Sequence, residues 1–289
     1  MISRRNLLLS GLLAAPALAC LKARAQSGVD EIQSGLADLE RAHGGRLGVC
    51  VVDVDSGRRA EHRGEERFAT CSTSKFLSAA FVLKRVDAGE DALERRVSYT
   101  KEMLVAYSPI TEKHAGEGMT LGEISEAAMT LSDNTAANLM FESFGGPAAL
   151  TRFARSLGDE VTRFDRIEPA LNEATPDDPR DTTTPAAMAE NLRKLVLGDA
   201  LSPKSRDQLA AWLIANQTGD ERLRAGLPKS WRVGDKTGSG DNGVANDIAI
   251  IWPPDRGPIV VTAYFAESSA PKETRNAVLA EVGRLAGAI

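Results

Sequence analysis

Apolar positions recur along the chain in two patterns, one typical of helices and the other of strands. Ile32, Leu36 and Leu39 lie three or four residues apart, which predicts an amphipathic helix over 30–41. Runs of β-branched and apolar residues bounded by turn residues predict strands. The predicted strands span 47–54, 58–62, 231–236, 244–252 and 259–265, and a helix over 272–285 follows the last of them.

The middle of the chain is predicted to be helical. Thr120 and Glu123 form the capping-box pattern of a helix N-terminus. Two further helices are predicted where a capping residue precedes proline, at 184–185 and 202–203. The other predicted helices of this region span 72–87, 121–131, 135–144 and 147–157.

The order of these elements predicts the organisation of the chain. Strands at both ends with helices between them indicate an α/β layer built from both termini and an inserted all-α part. A segment between 158 and 184 shows no sustained periodicity and holds three prolines, so we predict a long loop that is either disordered or functional. The predicted α/β subdomain covers 26–66 and 218–289, and the all-α subdomain covers 67–217, including an omega-type loop at 163–181.

The first 25 residues have the pattern of an export signal. Arg4 and Arg5 precede an apolar run over 7–19, and small residues at 23 and 25 match a signal-peptidase site. The paired arginines favour the twin-arginine route, with an ordinary secretory signal as the alternative. A lipoprotein signal ending at Cys20 fits less well. We therefore expect an exported protein, periplasmic or secreted.

Composition narrows the function classes. The chain has 289 residues, of which 43% are apolar and 26% charged, as in ordinary globular proteins. Its net charge of -5 argues against nucleic acid or an anionic membrane as the main partner. Three scattered histidines and no CxxC pair predict no metal and no cofactor. Cys50 and Cys71 could pair or stay as buried thiols.

Three short motifs could carry chemistry. Ser72 and Lys75 lie three residues apart at the start of a predicted helix, so their side chains can touch, and the helix N-terminus favours negative charge near the serine. An SDN triplet begins at Ser132 between two predicted helices, and a KTG triplet begins at Lys236 at the end of a predicted strand. Each motif alone is also typical of helix caps and turns.

Together the three motifs resemble those of the class A serine β-lactamases, and the resemblance covers about residues 27–289. The stretch from Glu168 to Asn172 is similar to the ExxLN motif of that family, and Arg166 and Asp181 stand where the family closes its omega loop with an ion pair. The resemblance implies an antiparallel sheet flanked by helices, an inserted helical subdomain, and an active site in the cleft between them.

The resemblance also implies a role for each matched residue. The implied catalytic residues are Ser72, Lys75, Ser132, Glu168 and Lys236, and the implied substrate-binding residues are Tyr107, Asn134, Asn172, Thr237, Gly238, Ser239 and Arg222. In this scheme Ser72 attacks the β-lactam carbonyl, and the N–H groups of Ser72 and Ser239 bind the oxyanion. The proton of Ser72 passes either to Lys75 or, through a water, to Glu168, which later activates the hydrolytic water.

The expected substrate is a small β-lactam, and the expected mature form is a monomer without membrane association. Cys71 stands where the carbapenem-hydrolysing branch has a bridging cysteine, but no cysteine follows the KTG triplet. This argues against carbapenem hydrolysis, whereas the hydroxyl of Ser239 favours cephalosporins in addition to penicillins. The alternatives are a D,D-peptidase or penicillin-binding protein acting on peptidoglycan, a β-lactam sensor that is acylated once, and a serine–lysine esterase.

Overall fold

A computed structural model describes residues 14–289, with side chains from residue 27 onward. The first 13 residues, which include the paired arginines of the predicted signal, lie outside the described residues. Within residues 14–289 the strands are β1 (Arg46–Asp53), β2 (Arg59–His62), β3 (Phe68–Ala69), β4 (Arg96–Val97), β5 (Met119–Thr120), β6 (Thr182–Thr183), β7 (Arg232–Gly240), β8 (Val244–Trp252) and β9 (Ile259–Ala266).

The α-helices account for most of the remaining regular structure. In chain order they are α1 (Ala14–His43), α2 (Ser74–Asp87), α3 (Leu121–Thr130), α4 (Asn134–Phe144), α5 (Pro147–Ser156), α6 (Pro185–Leu192), α7 (Pro203–Ile214) and α8 (Lys272–Ala286). In the described part of the chain, no helix is both apolar enough and long enough to cross a membrane.

The main sheet has five antiparallel strands in the order β2-β1-β9-β8-β7. Strands from both ends of the chain meet in it because β1 pairs with β9 along its whole length, from Arg46 opposite Ala266 to Asp53 opposite Ile259. This confirms the predicted fold of an antiparallel sheet built from both termini with helices inserted between them. The predicted subdomain boundaries stay a prediction.

Alternation along the strands gives the sheet two buried faces. Cys50 and Val52 of β1 belong to the large core shared with the inserted helices. Val49 and Val51 face the other way, into a core formed with α1 and α8. The sheet is therefore a middle layer, and its β7 edge meets the helical part where the functional residues gather.

The sequence predicted the KTG triplet at the end of its strand, but in the structure the strand continues beyond the triplet. β7 continues to Gly240, and Lys236, Thr237 and Gly238 lie within it. The extension is stabilised by pairing with β8, in which Gly238 faces Asn246 and Gly240 faces Val244. Cross-strand pairing compensates for the two glycines, which weaken an isolated strand.

Candidate active site

Ser72 lies in a one-turn 3-10 helix, Cys71–Thr73, which leads directly into α2. Cys71 has a φ of 44°, so the turn adopts a backbone conformation that non-glycine residues rarely take. Thr70 fastens this turn to the omega loop, since its N–H and its hydroxyl both donate to the carbonyl of Asp181, at 2.8 and 2.9 Å. The position of Ser72 is thus set by contacts distant in sequence.

Lys75 is the centre of a buried polar cluster. Its Nζ lies 2.7 Å from Ser72 Oγ, 2.7 Å from Asn134 Oδ1, 2.9 Å from Ser132 O and 3.3 Å from Ser132 Oγ. Glu168 Oε1 faces the same nitrogen at 2.9 Å. Burial lowers the pKa of Lys75, against the opposing effect of the Glu168 carboxylate. A lysine with a lowered pKa can exchange a proton with the hydroxyl beside it.

Ser132 stands between two lysines. Lys236 of β7 is fully buried, and its Nζ donates to Ser132 Oγ at 3.0 Å and to the carbonyl of Thr237 at 2.9 Å. Burial, followed by repulsion from Lys75, lowers the pKa of Lys236 to about 7. The hydroxyl of Ser132 is therefore within hydrogen-bond reach of two buried lysines, Lys75 and Lys236, and can exchange a proton with either.

The central residue of the SDN triplet has a role that the sequence analysis did not assign. Asp133 is fully buried and caps α4 by accepting from Ala136 N. It also accepts from the N–H groups of Ile110 and Thr111 and from the Thr111 hydroxyl, at 2.8–3.0 Å. Since a fully satisfied buried carboxylate is rigid, Asp133 fixes the loop from which Ser132 and Asn134 reach the site.

Asn134 connects this loop to the aromatic residue at the mouth of the site. Its N–H donates to the carbonyl of Tyr107 at 2.9 Å, and its Nδ2 donates to the carbonyl of Ala106 at 2.8 Å. Tyr107 has a φ of 62° and is 60% exposed. An exposed aromatic ring held on a strained backbone is consistent with the substrate-binding role that the resemblance implies.

The omega loop closes as the resemblance implied. Arg166 Nε lies 2.6 Å from Asp181 Oδ2, and the N–H of Arg166 also donates to Asp181 Oδ1, at 3.0 Å. The loop packs Glu168 into the interior, where Asn138 of α4 donates to its carbonyl and accepts from its N–H, both at 2.9 Å. Asn138 was not predicted, although it lies one helical turn after Asn134.

Asn172 completes the buried end of this loop. Its Nδ2 donates to Glu168 Oε2. Its Oδ1 is buried and has no hydrogen-bond partner among the described residues. An acceptor beside a carboxylate suits a bound water, because buried polar atoms are normally hydrogen-bonded.

Arg222 reaches the site from behind β7. It is only 6% exposed, and burial lowers its pKa. Its Nη2 donates to Ser239 Oγ at 2.7 Å, and its Nη1 donates to the carbonyls of Gly238 and Asn246 at 2.7 and 2.6 Å. Asn276, which the sequence analysis did not single out, accepts from Arg222 Nε at 3.0 Å. The guanidinium thus adds positive charge at the KTG strand while its donors orient Ser239.

These groups surround one cleft of about 420 Å³. The predicted residues that line it are Ser72, Tyr107, Ser132, Asn134, Asn172, Arg222, Thr237, Gly238 and Ser239. Lys75, Glu168 and Lys236 lie directly behind these residues and contact them through the bonds described above. Every predicted site residue is therefore brought to the same place, either in the cleft wall or immediately beneath it.

Cys50 and Cys71 are both buried and both free. The sequence had left pairing and free thiols open, and the structure shows free thiols. Burial raises the pKa of each thiol, which keeps it protonated and unreactive. Cys71 lies against Gly240, where an added Cβ would come within 2.6 Å of both the sulfur and the Asn172 carbonyl.

Known proteins are similar to this chain in sequence. The family described as the β-lactamase enzyme family matches residues 31–288. β-Lactamase OXY-1 from Klebsiella oxytoca is 50% identical over 278 residues, 96% of each chain. β-Lactamase Toho-1 from Escherichia coli is 50% identical over 267 residues, covering 92% of this chain and 90% of its own.

A solved structure gives the same result. The structure of an ancestral (GNCA) class A β-lactamase superposes with a TM-score of 0.87. Its sequence is 66% identical, and the match covers 88% of this chain and 98% of the ancestral chain. A family match over nearly the whole chain agrees with the SxxK, SDN and KTG residues that the fold brings into one cleft. The chain belongs to the β-lactamase enzyme family and is a class A member of it.

Proposed function

We propose that this chain hydrolyses the β-lactam amide bond of penicillins and cephalosporins through an acyl-enzyme on Ser72, and that this activity confers antibiotic resistance. The observation that supports it most is the position of Lys75 Nζ, 2.7 Å from Ser72 Oγ and 2.9 Å from Glu168 Oε1. A buried nucleophile, a lysine and a carboxylate in contact can both form an ester and hydrolyse it. A D,D-peptidase also forms and resolves an acyl-enzyme, but it does not need the Glu168 carboxylate to do so.

Acylation uses the proton contacts around Lys75. Ser72 gives its proton either directly to Lys75 or, through a water, to Glu168 as its oxygen attacks the lactam carbonyl. The N–H groups of Ser72 and Ser239 stabilise the oxyanion. Ser132 then protonates the leaving nitrogen, and it recovers a proton from Lys75 or Lys236, which its hydroxyl contacts at 3.3 and 3.0 Å.

Deacylation depends on the omega loop. Glu168 acts as the general base for a water that attacks the ester carbonyl, and Asn172 orients that water. The buried, unpartnered Oδ1 of Asn172 supports this assignment, because it offers an acceptor for a water beside the carboxylate. The oxyanion contacts from acylation serve again in this step.

Substrate orientation follows from the polarity of the cleft. The substrate carboxylate binds beside Lys236, Thr237 and Ser239, with Arg222 contributing charge through the Ser239 hydroxyl. Asn134 bonds the acylamide side chain, and the ring of Tyr107 forms the outer wall. We also propose that the protein acts as an exported monomer.

The test follows many turnovers of benzylpenicillin and a chromogenic cephalosporin by the purified mature protein. Ser72→Ala should abolish hydrolysis, and Glu168→Ala should accumulate a covalent adduct visible by mass spectrometry. Glu160→Ala, which removes a glutamate with an 80% exposed side chain, is the matched control and should keep normal turnover. A single stoichiometric burst by the wild-type protein would instead indicate a peptidase or a sensor. Turnover of penicillins alone would refute the cephalosporin part.

A further inference from the structure

Asn246 of β8 links the strand that carries Ser239 to the turn that carries Ser72. Its side chain is fully buried, and its Nδ2 donates to the carbonyl of Ala69 at 2.9 Å and to that of Thr70 at 3.3 Å. In the β7–β8 pairing, Asn246 lies opposite Gly238. One side chain therefore spans from the central sheet to the segment that immediately precedes the nucleophile.

The two oxyanion donors proposed above belong to different elements. Ser72 N is in the 3-10 turn before α2, and Ser239 N is on β7. Because no backbone hydrogen-bond ladder joins a turn to a strand edge, their separation depends on side chains and on packing between the two elements. Stabilisation of an oxyanion requires both donors at about 2.7–3.1 Å from the developing charge.

The packing at this junction leaves little free space. A Cβ on Gly238 would lie 3.0 Å from Thr70 O and 3.3 Å from Asn246 Nδ2. On the opposite side, Thr70 is held by the carbonyl of Asp181 through two bonds. The segment before Ser72 is thus fixed from one side by the omega loop and from the other by Asn246.

The chemistry of the contact requires an amide nitrogen. Two carbonyls face the same end of the Asn246 side chain, and an NH₂ group can donate to both. The backbone carbonyl of Asn246 meanwhile accepts from Arg222 Nη1 at 2.6 Å, and the same nitrogen donates to the carbonyl of Gly238. Asn246 therefore joins the Arg222 side of the cleft and the Ser72 side through one residue.

We propose that Asn246 is a positioning residue for the oxyanion hole, setting the distance between the N–H groups of Ser72 and Ser239. The proposal rests on the acyl-enzyme mechanism proposed above. Asn246 touches no substrate atom and acts through the carbonyls of Ala69 and Thr70. Its removal should weaken stabilisation of the tetrahedral intermediate more than binding of the intact β-lactam.

The test compares Asn246→Leu and Asn246→Asp with the wild-type protein. Leucine keeps the volume without a donor, and aspartate keeps the shape but turns an acceptor toward two carbonyls. Loss of an oxyanion donor costs about 10²–10³ in rate, so a displaced donor should slow acylation by about 10- to 100-fold. The dissociation constant of the non-covalent β-lactam complex should change by less than about threefold.

A second readout separates positioning from general loss of structure. A phenylboronic acid forms a tetrahedral adduct on a serine, and its affinity should fall by the same factor as the acylation rate. In Asn246→Asp, both values should recover partly as the pH falls, because a protonated carboxyl can donate to one carbonyl. If Asn246→Leu does not fold, the pH dependence of the acylation rate and boronate affinity of Asn246→Asp tests the positioning role.

Thr262→Val is the matched control. Thr262 is also fully buried in the sheet, and its hydroxyl donates to the carbonyl of Pro185 at 2.8 Å, away from the Ser72 turn. The Thr262→Val variant should have a lower melting temperature but a normal acylation rate and a normal affinity for the boronic acid. The proposal is overturned if the Asn246 variants behave like this control while Ser72→Ala is inactive. If Ser72→Ala itself still turns over, the acyl-enzyme mechanism fails instead.

Discussion

Replacement of Asp181 by asparagine tests whether the ion pair at the base of the omega loop holds Glu168 in place. The Asp181 carboxylate is 1% exposed and accepts from Asp165 N at 2.8 Å, from Arg166 N at 3.0 Å and from Arg166 Nε at 2.6 Å. Asparagine can keep the two backbone bonds through its oxygen. Its NH₂ group, however, then faces the guanidinium N–H, so two donors meet.

The cost follows from these contacts. Breaking a buried ion pair costs about 3–5 kcal/mol when the remaining charge is left unpaired. Arg166 also pairs with Glu173, whose side chain is 52% exposed, at 2.5 Å. Because Arg166 keeps its pair with Glu173, we expect Asp181→Asn to destabilise the closed omega loop by about 2–3 kcal/mol. If this free-energy cost is confined to the omega loop, the fraction of molecules with the loop open should rise about 30- to 150-fold.

The assay is hydrogen exchange over 163–181 combined with rapid-quench measurement of the acyl-enzyme. Exchange should speed up within the loop, and deacylation should slow more than acylation, because Glu168 belongs to the loop whereas Lys75 does not. Asp178→Asn is the matched control, since among the described residues the Asp178 carboxylate accepts hydrogen bonds only from Arg180, two residues away, at 2.6–3.1 Å. Unchanged exchange and an unchanged acylation-to-deacylation ratio in Asp181→Asn would refute this reasoning.

Three further results are expected. Arg222→Ala should lower kcat/KM for carboxylate-bearing β-lactams by about 10- to 100-fold, since charge-assisted bonds are worth about 1.5–3 kcal/mol; a loss of only about twofold would contradict its substrate role. Burial and Lys75 lower the pKa of Lys236 to about 7, so its charged form is lost as the pH rises. The alkaline fall in kcat/KM should therefore lie well below 10.5, and Lys236→Arg should move it upward; identical profiles would exclude Lys236 as its origin. Burial raises the pKa of the Cys50 and Cys71 thiols, so peptide mass spectrometry should find both alkylated only after unfolding, and rapid labelling of the native protein would contradict their burial.

Local pattern was a good guide to the regular elements. The predicted helix over 272–285 is α8 (Lys272–Ala286), and the predicted strand over 259–265 is β9 (Ile259–Ala266). Both have a periodicity of apolar residues that matches their burial. Pattern failed at the end of β7, where glycines predicted a turn but pairing with β8 extends the strand to Gly240. That pairing is a β-hairpin whose turn lies at 241–243, after Gly240, so the glycines at 238 and 240 placed the turn too early.

The residues that support the site were harder to recognise than those proposed to act in it. Asn138 and Asn276 were not assigned roles because a single buried Asn has no distinctive spacing. Asp133 belongs to the SDN triplet, but the triplet carries no signal for its partners Ile110 and Thr111. The partners of the two asparagines lie elsewhere in the chain, such as Arg222 for Asn276 and Glu168 for Asn138. A helical spacing of four from Asn134 was the one available signal for Asn138.

The sequence alone determined the chemical groups and the order in which the chain presents them. Ser72 and Lys75 meet because a helix brings residues three apart onto one face, which is a local property. Only the tertiary structure decided that Arg222 is buried with its guanidinium donating to Ser239, and that Cys50 and Cys71 stay apart as thiols. Burial and hydrogen-bond partners decide these outcomes, and they depend on segments that folding brings together from distant parts of the chain.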